Sequence, residues 1–311
     1  MGKNLIDIPK VRHMFECANE MLRTNLMKTC LEGPSAKLDQ TLHCQPAVYT
    51  VSLAAVTKLQ EDDPDVSDVN YSKPPQVVEK CVATAGFSLG EVTALVFAGA
   101  LTFEQGLHLV RVRAHVMHEA SERVKGAMCS VFLDHTSQLK LAILAAKNHC
   151  ETTLRLDKPY CAVVNYLYSE CKVVAGNLAA IEFIEQNAAQ FGIRRVKRLQ
   201  VSGAFHTPLM ESATKPFSNA FASVGEIKTP AIPVLSAVDL VPYRSSDNIK
   251  RKLVSQLVRP VLWEQTLQAM YERPPGAPFP VTVEPGPGRQ LGAMLRMVNR
   301  KAFERYKSIE V

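Results

Sequence analysis

Gly86-Phe87-Ser88-Leu89-Gly90 is a G-x-S-x-G stretch, and its flanks decide how it reads. Before it, Cys81-Val82-Ala83-Thr84-Ala85 has the small apolar composition of a buried strand. After it, Glu91 to Gly99 reads as an apolar helix. A strand, a sharp turn and a helix in that order make a nucleophile elbow. The bend lifts the Ser88 hydroxyl out of the sheet toward a cleft. Glycine is expected on both flanks because side chains there would meet backbone. The backbone N–H of Leu89, at the start of the helix, is aimed at any oxyanion that forms beside Ser88.

Outward from the elbow, the rest of the chain alternates helix and strand. Residues 10–32 carry apolar side chains at helical spacing and predict one amphipathic helix. Gln45 to Leu59 predicts another, with Pro46 in its first turn. Glu61 to Pro75 is acidic and proline-containing and reads as a solvated loop. Phe103 to Glu122 predicts a long helix. Strand 127–132, helix 137–149, strands 161–166 and 172–175, helix 178–191 and strand 194–199 follow. This β-α-β-β-α-β order is the split pattern of a ferredoxin-like unit. Alternating elements resume from Pro208 to Glu284, so the fold class is α/β: a large subdomain of 1–126 and 200–311 interrupted by an insert at 127–199.

Composition narrows the class of function. The 311 residues suffice for a sizeable core, and 47% hydrophobic with 21% charged residues is ordinary for a globular protein. The net charge of +6 is spread along the chain. That is too mild to argue for nucleic acid and suits an acidic partner or a phosphorylated ligand. No apolar run approaches the roughly 18 residues of a membrane span, and no signal peptide is visible. Eight scattered cysteines without a C-x-x-C pair read as reduced thiols. His115-Val116-Met117-His118-Glu119 matches neither H-E-x-x-H nor H-x-x-E-H, so no metal site is expected.

A serine needs a base to become a nucleophile. Of eight histidines, His206 stands out, because Val201-Ser202-Gly203-Ala204-Phe205-His206-Thr207-Pro208 is a loop between strand and helix. It reads as a base or as a loop histidine with a local partner. Arg113 lies on the otherwise apolar face of Leu107, Val110, Ala114 and Met117. It either finds an anion, which it can grip bidentately, or snorkels to solvent.

Six ordered blocks carry a resemblance: Gly86–Glu91 (GFSLGE), Leu109–Met117 (LVRVRAHVM), Gly126-Ala127-Met128, Val201–Met210 (VSGAFHTPLM), Gln256–Trp263 (QLVRPVLW) and Glu284–Gly292 (EPGPGRQLG). Over almost its whole length the chain resembles malonyl-CoA:acyl-carrier-protein transacylases. Phe87, where members commonly have His, looks like the animal mitochondrial branch. The resemblance implies an α/β-hydrolase-like large subdomain with a parallel sheet and a ferredoxin-like insert. It implies Ser88 as nucleophile, His206 as base, a Leu262 backbone carbonyl orienting the imidazole, and Arg113 as partner of the malonyl carboxylate. Met117 and Asn165 match positions lining the acyl pocket. The implied reaction moves malonyl from malonyl-CoA to the phosphopantetheine thiol of acyl carrier protein through a malonyl-serine, supplying fatty acid synthesis in the mitochondrial matrix, with no cofactor. Carrier protein is acidic, so the basic cluster Arg194, Arg195, Lys197 and Arg198 is a docking surface or a solvated strand edge. Members carry a first strand and a Gly-Gln-Gly loop before the position of Met1-Gly2. The chain therefore reads as start-truncated, without a transit peptide. The alternatives are an impaired form that only binds carrier protein, and a serine thioesterase.

Overall fold

A computed structural model describes residues 1–62, 76–201 and 203–311. Residues 63–75 of the acidic loop lie outside the described residues. Eight strands occur among those described: β1 (Thr84–Ala85), β2 (Gly126–Phe132), β3 (Cys161–Tyr168), β4 (Cys171–Asn177), β5 (Arg195–Arg198), β6 (Val234–Leu235), β7 (Thr282–Glu284) and β8 (Tyr306–Ser308). β1 pairs parallel with β6, and β7 pairs parallel with β8. β2 to β5 form an antiparallel sheet in the order β3-β4-β2-β5, the ferredoxin-like order that the β-α-β-β-α-β pattern predicts.

Four apolar clusters occur among the described residues, and the two largest follow from this division. One packs helices Pro9–Leu22, Thr41–Glu61 and Phe103–Arg123 around Phe15, Tyr49, Leu95, Leu107 and Phe217. The other fills the insert, where Ile181 and Ile184 of helix Leu178–Asn187 and Ala142 of helix Leu139–Asn148 cover one face of the antiparallel sheet. β3 also touches the larger unit, since Tyr166 N–H donates to the Val261 carbonyl at 3.0 Å and Val261 N–H to that of Val164 at 2.8 Å. No helix among the described residues is long and apolar enough to cross a membrane.

Three expectations need correction. Residues 10–32 form two helices, Pro9–Leu22 and Leu26–Glu32. Arg23 turns left-handed (φ 51°) to end the first, and Asn25 caps the second through its side chain. Pro46 lies inside helix Thr41–Glu61, beyond its first turn, because that helix starts four residues earlier than expected. The strand before the elbow is only Thr84–Ala85 and is not fully buried. Val82 is 75% exposed, and Cys81 N–H bonds back to Val78 of a short 3-10 turn.

Candidate active site

The elbow is built as expected on its strand side. Ser88 has φ 52°, a left-handed conformation that a non-glycine residue holds only when its surroundings impose it. A Cβ on Gly86 would lie 1.8 Å from the carbonyl carbon of Gly90, so strand and helix pack too closely there for any side chain. Gly90 is different: a Cβ there would meet nothing within 4 Å, so its lack of a side chain is not a packing need. Turn bonds from Gly90 N–H to Phe87 O and from Glu91 N–H to Ser88 O fix the bend. The Leu89 N–H makes no backbone hydrogen bond among the described residues.

Loop residue His206 also has a left-handed backbone (φ 62°) and is buried. Its Nε2 lies 2.8 Å from Ser88 Oγ, and its Nδ1 lies 2.8 Å from the Gln256 carbonyl oxygen. A carbonyl only accepts, so Nδ1 carries the proton and Nε2 is free to accept from the serine hydroxyl. The orienting carbonyl is therefore that of Gln256 and not that of Leu262. The Leu262 carbonyl caps helix Trp263–Tyr271, where it accepts from Thr266 N–H and Thr266 Oγ1, both at 2.8 Å. Burial, then the nearby Arg113 charge, lower the His206 pKa to about 4; bonds to the Gln256 and Arg259 backbones oppose the fall.

Arg113 is 2% exposed and does not snorkel. Nη1 donates to Gln45 Oε1 at 2.7 Å. Nη2 donates to Gln256 Oε1 at 2.9 Å and to Ser88 Oγ at 3.0 Å. None of these partners is an anion, and burial pushes the guanidinium down to about 10. A fixed, buried cation aimed at the serine has the chemistry to grip a carboxylate. Met117, one helical turn on, takes part indirectly: its Sδ accepts from Gln45 Nε2 at 3.6 Å. Asn165 sits on β3, bridged by backbone to Val261. Its buried Oδ1 finds no partner among the described residues.

Gln45 and Gln256 escaped the sequence reading. Each is a buried amide; Gln45 stands among mostly apolar or small neighbours in its helix, whereas Gln256 shares its buried face with Ile249, Leu253 and the buried Lys252, so little beyond its place at the head of the block Gln256–Trp263 marks it. The basic cluster is divided by its neighbours. Arg198 pairs with Glu185 and so is neutralised within the insert, which removes it from the expected docking set. Arg195 lies over the Phe132 ring, 4.1 Å from its centroid. Arg194, Arg195 and Lys197 remain exposed.

Similarity to known proteins identifies the family. A family model described as acyl transferase domain matches residues 1–285. A Drosophila melanogaster protein named probable malonyl-CoA-acyl carrier protein transacylase, mitochondrial, is 49% identical over 98% of this chain and 77% of its own length. The Homo sapiens protein named malonyl-CoA-acyl carrier protein transacylase, mitochondrial, is 45% identical over 100% of this chain and 76% of its own length. Among solved structures, the Coxiella burnetii malonyl CoA-acyl carrier protein transacylase superposes with a TM-score of 0.81 at 28% identity, covering 98% of this chain and 87% of that one. A malonyl-transacylase solved in complex with its type II PKS acyl-carrier protein gives 0.81 at 27%, covering 100% and 91%. The chain belongs to the acyl transferase family, in its malonyl-CoA-acyl carrier protein transacylase branch, and is an acyltransferase.

Proposed function

We propose that Ser88, His206 and Arg113 carry malonyl transfer from malonyl-CoA to the phosphopantetheine thiol of acyl carrier protein, supplying fatty acid synthesis in the mitochondrial matrix. The observation that carries this reading is one hydroxyl, Ser88 Oγ, held at once by a neutral base at 2.8 Å and a buried guanidinium at 3.0 Å.

His206 Nε2 takes the Ser88 proton as Oγ attacks the thioester carbonyl. The Leu89 N–H donates to the oxyanion of the tetrahedral intermediate. The C–S bond then breaks, and the CoA sulfur leaves with the proton from His206. In the second half the carrier thiol gives its proton to His206, and its sulfur attacks the malonyl ester. The bond to Ser88 Oγ breaks, and the hydroxyl recovers its proton. Arg113 pairs with the malonyl carboxylate throughout. Burial chiefly holds His206 low and the Arg113 charge adds to it; the carboxylate offsets that second contribution, so the base strengthens when a charged acyl group is bound.

Within this reading the large subdomain, 1–126 and 200–311, supplies nucleophile, base and arginine. The insert, 127–199, supplies Asn165 and the exposed Arg194, Arg195 and Lys197 for the acidic carrier. A surface cavity of about 460 Å³ bordered by Phe132, Tyr168, Arg194, Arg195 and Met297 gives that docking face relief. Mass spectrometry of the intact protein after brief mixing with malonyl-CoA tests the covalent step. A malonyl adduct on the wild-type chain and none on Ser88→Ala is expected. An adduct of equal yield on both chains refutes Ser88 as the nucleophile.

A further inference from the structure

Three residues behind the serine lies a second ionisable group. Glu91, in the first turn of helix Gly90–Phe97, is fully buried. Its Oε1 accepts from Ala237 N–H at 2.8 Å and its Oε2 from the Tyr243 hydroxyl. The Gln256 amide meets Glu91 at the Ser88 carbonyl, which accepts from Gln256 Nε2 at 2.9 Å and from the Glu91 N–H at 3.1 Å, and the same amide accepts from Arg113 Nη2 at 2.9 Å. Gln256 thus stands between the site's buried cation and this buried carboxylate.

Among the described residues Arg113 has no carboxylate within ion-pair distance. Glu91 is the acidic group whose field reaches it. Two donors, the Ala237 N–H and the Tyr243 hydroxyl, suit the ionised Glu91, whereas complete burial suits the neutral one. The balance holds it at about 7, far above an ordinary carboxyl. Its other charged or titratable neighbours are few. Tyr243, beside Glu91, is held well above its usual range and stays neutral. Lys252 lies over the Tyr243 ring and is paired with Asp239 at 2.9 Å. His206 shares the Ser88 hydroxyl with Arg113 and feels its charge.

We propose that Glu91 is the internal counter-charge of Arg113 and that its protonation state sets how strongly the site prefers a carboxylated acyl group over an uncharged one. The inference rests on the reading of Arg113 as the carboxylate partner. With Glu91 ionised, part of the guanidinium charge is compensated before substrate arrives. With Glu91 neutral, the whole charge is available to the acyl carboxylate. The Glu91 side chain touches no reacting atom and is a positioning residue acting on Arg113 through the local field.

The test is the ratio of kcat/KM for serine loading from malonyl-CoA to that from acetyl-CoA, followed over a range of about pH 5.5 to 8.5. Both donors use the same serine, base and leaving group, so the titration of His206 and of CoA cancels in the ratio. The malonyl carboxylate stays ionised throughout. In the wild type the ratio should fall on the order of tenfold as pH rises, the size of effect one unit charge exerts across a bridging side chain. Glu91→Gln should show a high ratio independent of pH. Tyr243→Phe, which removes a donor to the carboxylate, should move the midpoint upward and keeps the test open if Glu91→Gln does not fold. A flat wild-type ratio, or a ratio that still falls in Glu91→Gln, overturns the proposal. Arg113→Ala separates the two readings. A low ratio at every pH in that variant upholds the arginine's role whatever Glu91 does, whereas a wild-type ratio refutes the role itself.

Discussion

Replacing Arg113 by methionine should damage catalysis far more than stability, and the structure sets both magnitudes. Burial lowers the guanidinium from 12.5 to about 10. Folded and unfolded arginine are both protonated below that value, so at neutral pH the charged form is carried in the fold at a cost of roughly 3 kcal/mol. Methionine has a similar length and fills the space without charge. The change leaves Gln45 Oε1 and Gln256 Oε1 without their donor, at roughly 1–3 kcal/mol each if neither finds another partner. Glu91, held at about 7, can neutralise itself by taking a proton when the guanidinium is gone. The opposing effects nearly cancel. Urea unfolding near neutral pH should therefore find Arg113→Met within about 2 kcal/mol of wild type, against the roughly 2–5 kcal/mol lost when an ordinary large core side chain is truncated. Malonyl loading should behave otherwise. An unpaired buried carboxylate costs roughly 3–5 kcal/mol, which lowers kcat/KM by on the order of 100-fold or more. Acetyl loading, which needs no cation, should hold or rise. Parallel losses of malonyl and acetyl loading, or destabilisation beyond about 4 kcal/mol, would show Arg113 to be a structural residue and refute the reasoning.

Four further outcomes are expected. Because His206 is held near 4 in the empty site, the acid limb of kcat/KM for loading should lie well below the ordinary histidine range; a limb near pH 6.5 contradicts the buried, arginine-flanked imidazole. The same shift acts on stability. The unfolded chain takes up this proton near 6.5 and the folded chain near 4, so stability should fall as pH drops through that window and fall less in His206→Asn, as read by urea unfolding. Gly86→Ala should abolish loading, because its Cβ falls 1.8 Å from Gly90 backbone, whereas Gly90→Ala, which meets nothing within 4 Å, should keep the elbow; malonyl-adduct yield distinguishes them. Charge reversal at Arg194 and Arg195 should raise KM for carrier protein and leave loading from malonyl-CoA unchanged, and unaltered carrier kinetics remove that face from the docking surface.

The elements legible in the sequence are those that local chemistry determines. The insert's strands and helices alternate with clear periodicity, and its strand order follows from the β-α-β-β-α-β pattern. Ser88, His206 and Arg113 stand out because each breaks its surroundings: a serine between glycines, a histidine in a loop, a cation on an apolar face; for His206 and Arg113 that local signal left a structural reading open, and the family resemblance supplied the role. What was not legible depends on pairing at long range. Cys81–Val82 look like strand but have no strand partner, since β1 pairs with β6 only at Thr84 and Ala85. The break at Arg23 depends on a left-handed residue that composition does not mark. Leu262 was assigned to the imidazole by resemblance, yet a carbonyl at a helix start is taken by its own helix. The Gln256 carbonyl sits at the end of its helix, Ser246–Gln256, where the last carbonyls have no N–H of their own turn to accept.

That end position explains why one glutamine can organise the whole site. Ser88 and His206 are both held at positive φ, which costs on the order of 1–3 kcal/mol for each residue. Such strain persists only where partners over-determine it. Gln256 is a partner to both: its side-chain Nε2 holds the Ser88 carbonyl, and its backbone oxygen holds the His206 ring. Its side-chain Oε1 meanwhile fixes the arginine that points at the serine oxygen. Nucleophile, base and carboxylate receptor therefore share one rigid reference, although they come from a strand turn, a loop and a helix far apart in sequence. Gln256→Ala removes the side-chain bonds and keeps the backbone carbonyl, so it should impair the arginine and the serine while leaving the imidazole tautomer in place. Malonyl preference should then fall along with the loading rate, and the pH of the acid limb should move less than either. A variant that loses rate but keeps full malonyl preference contradicts this shared support.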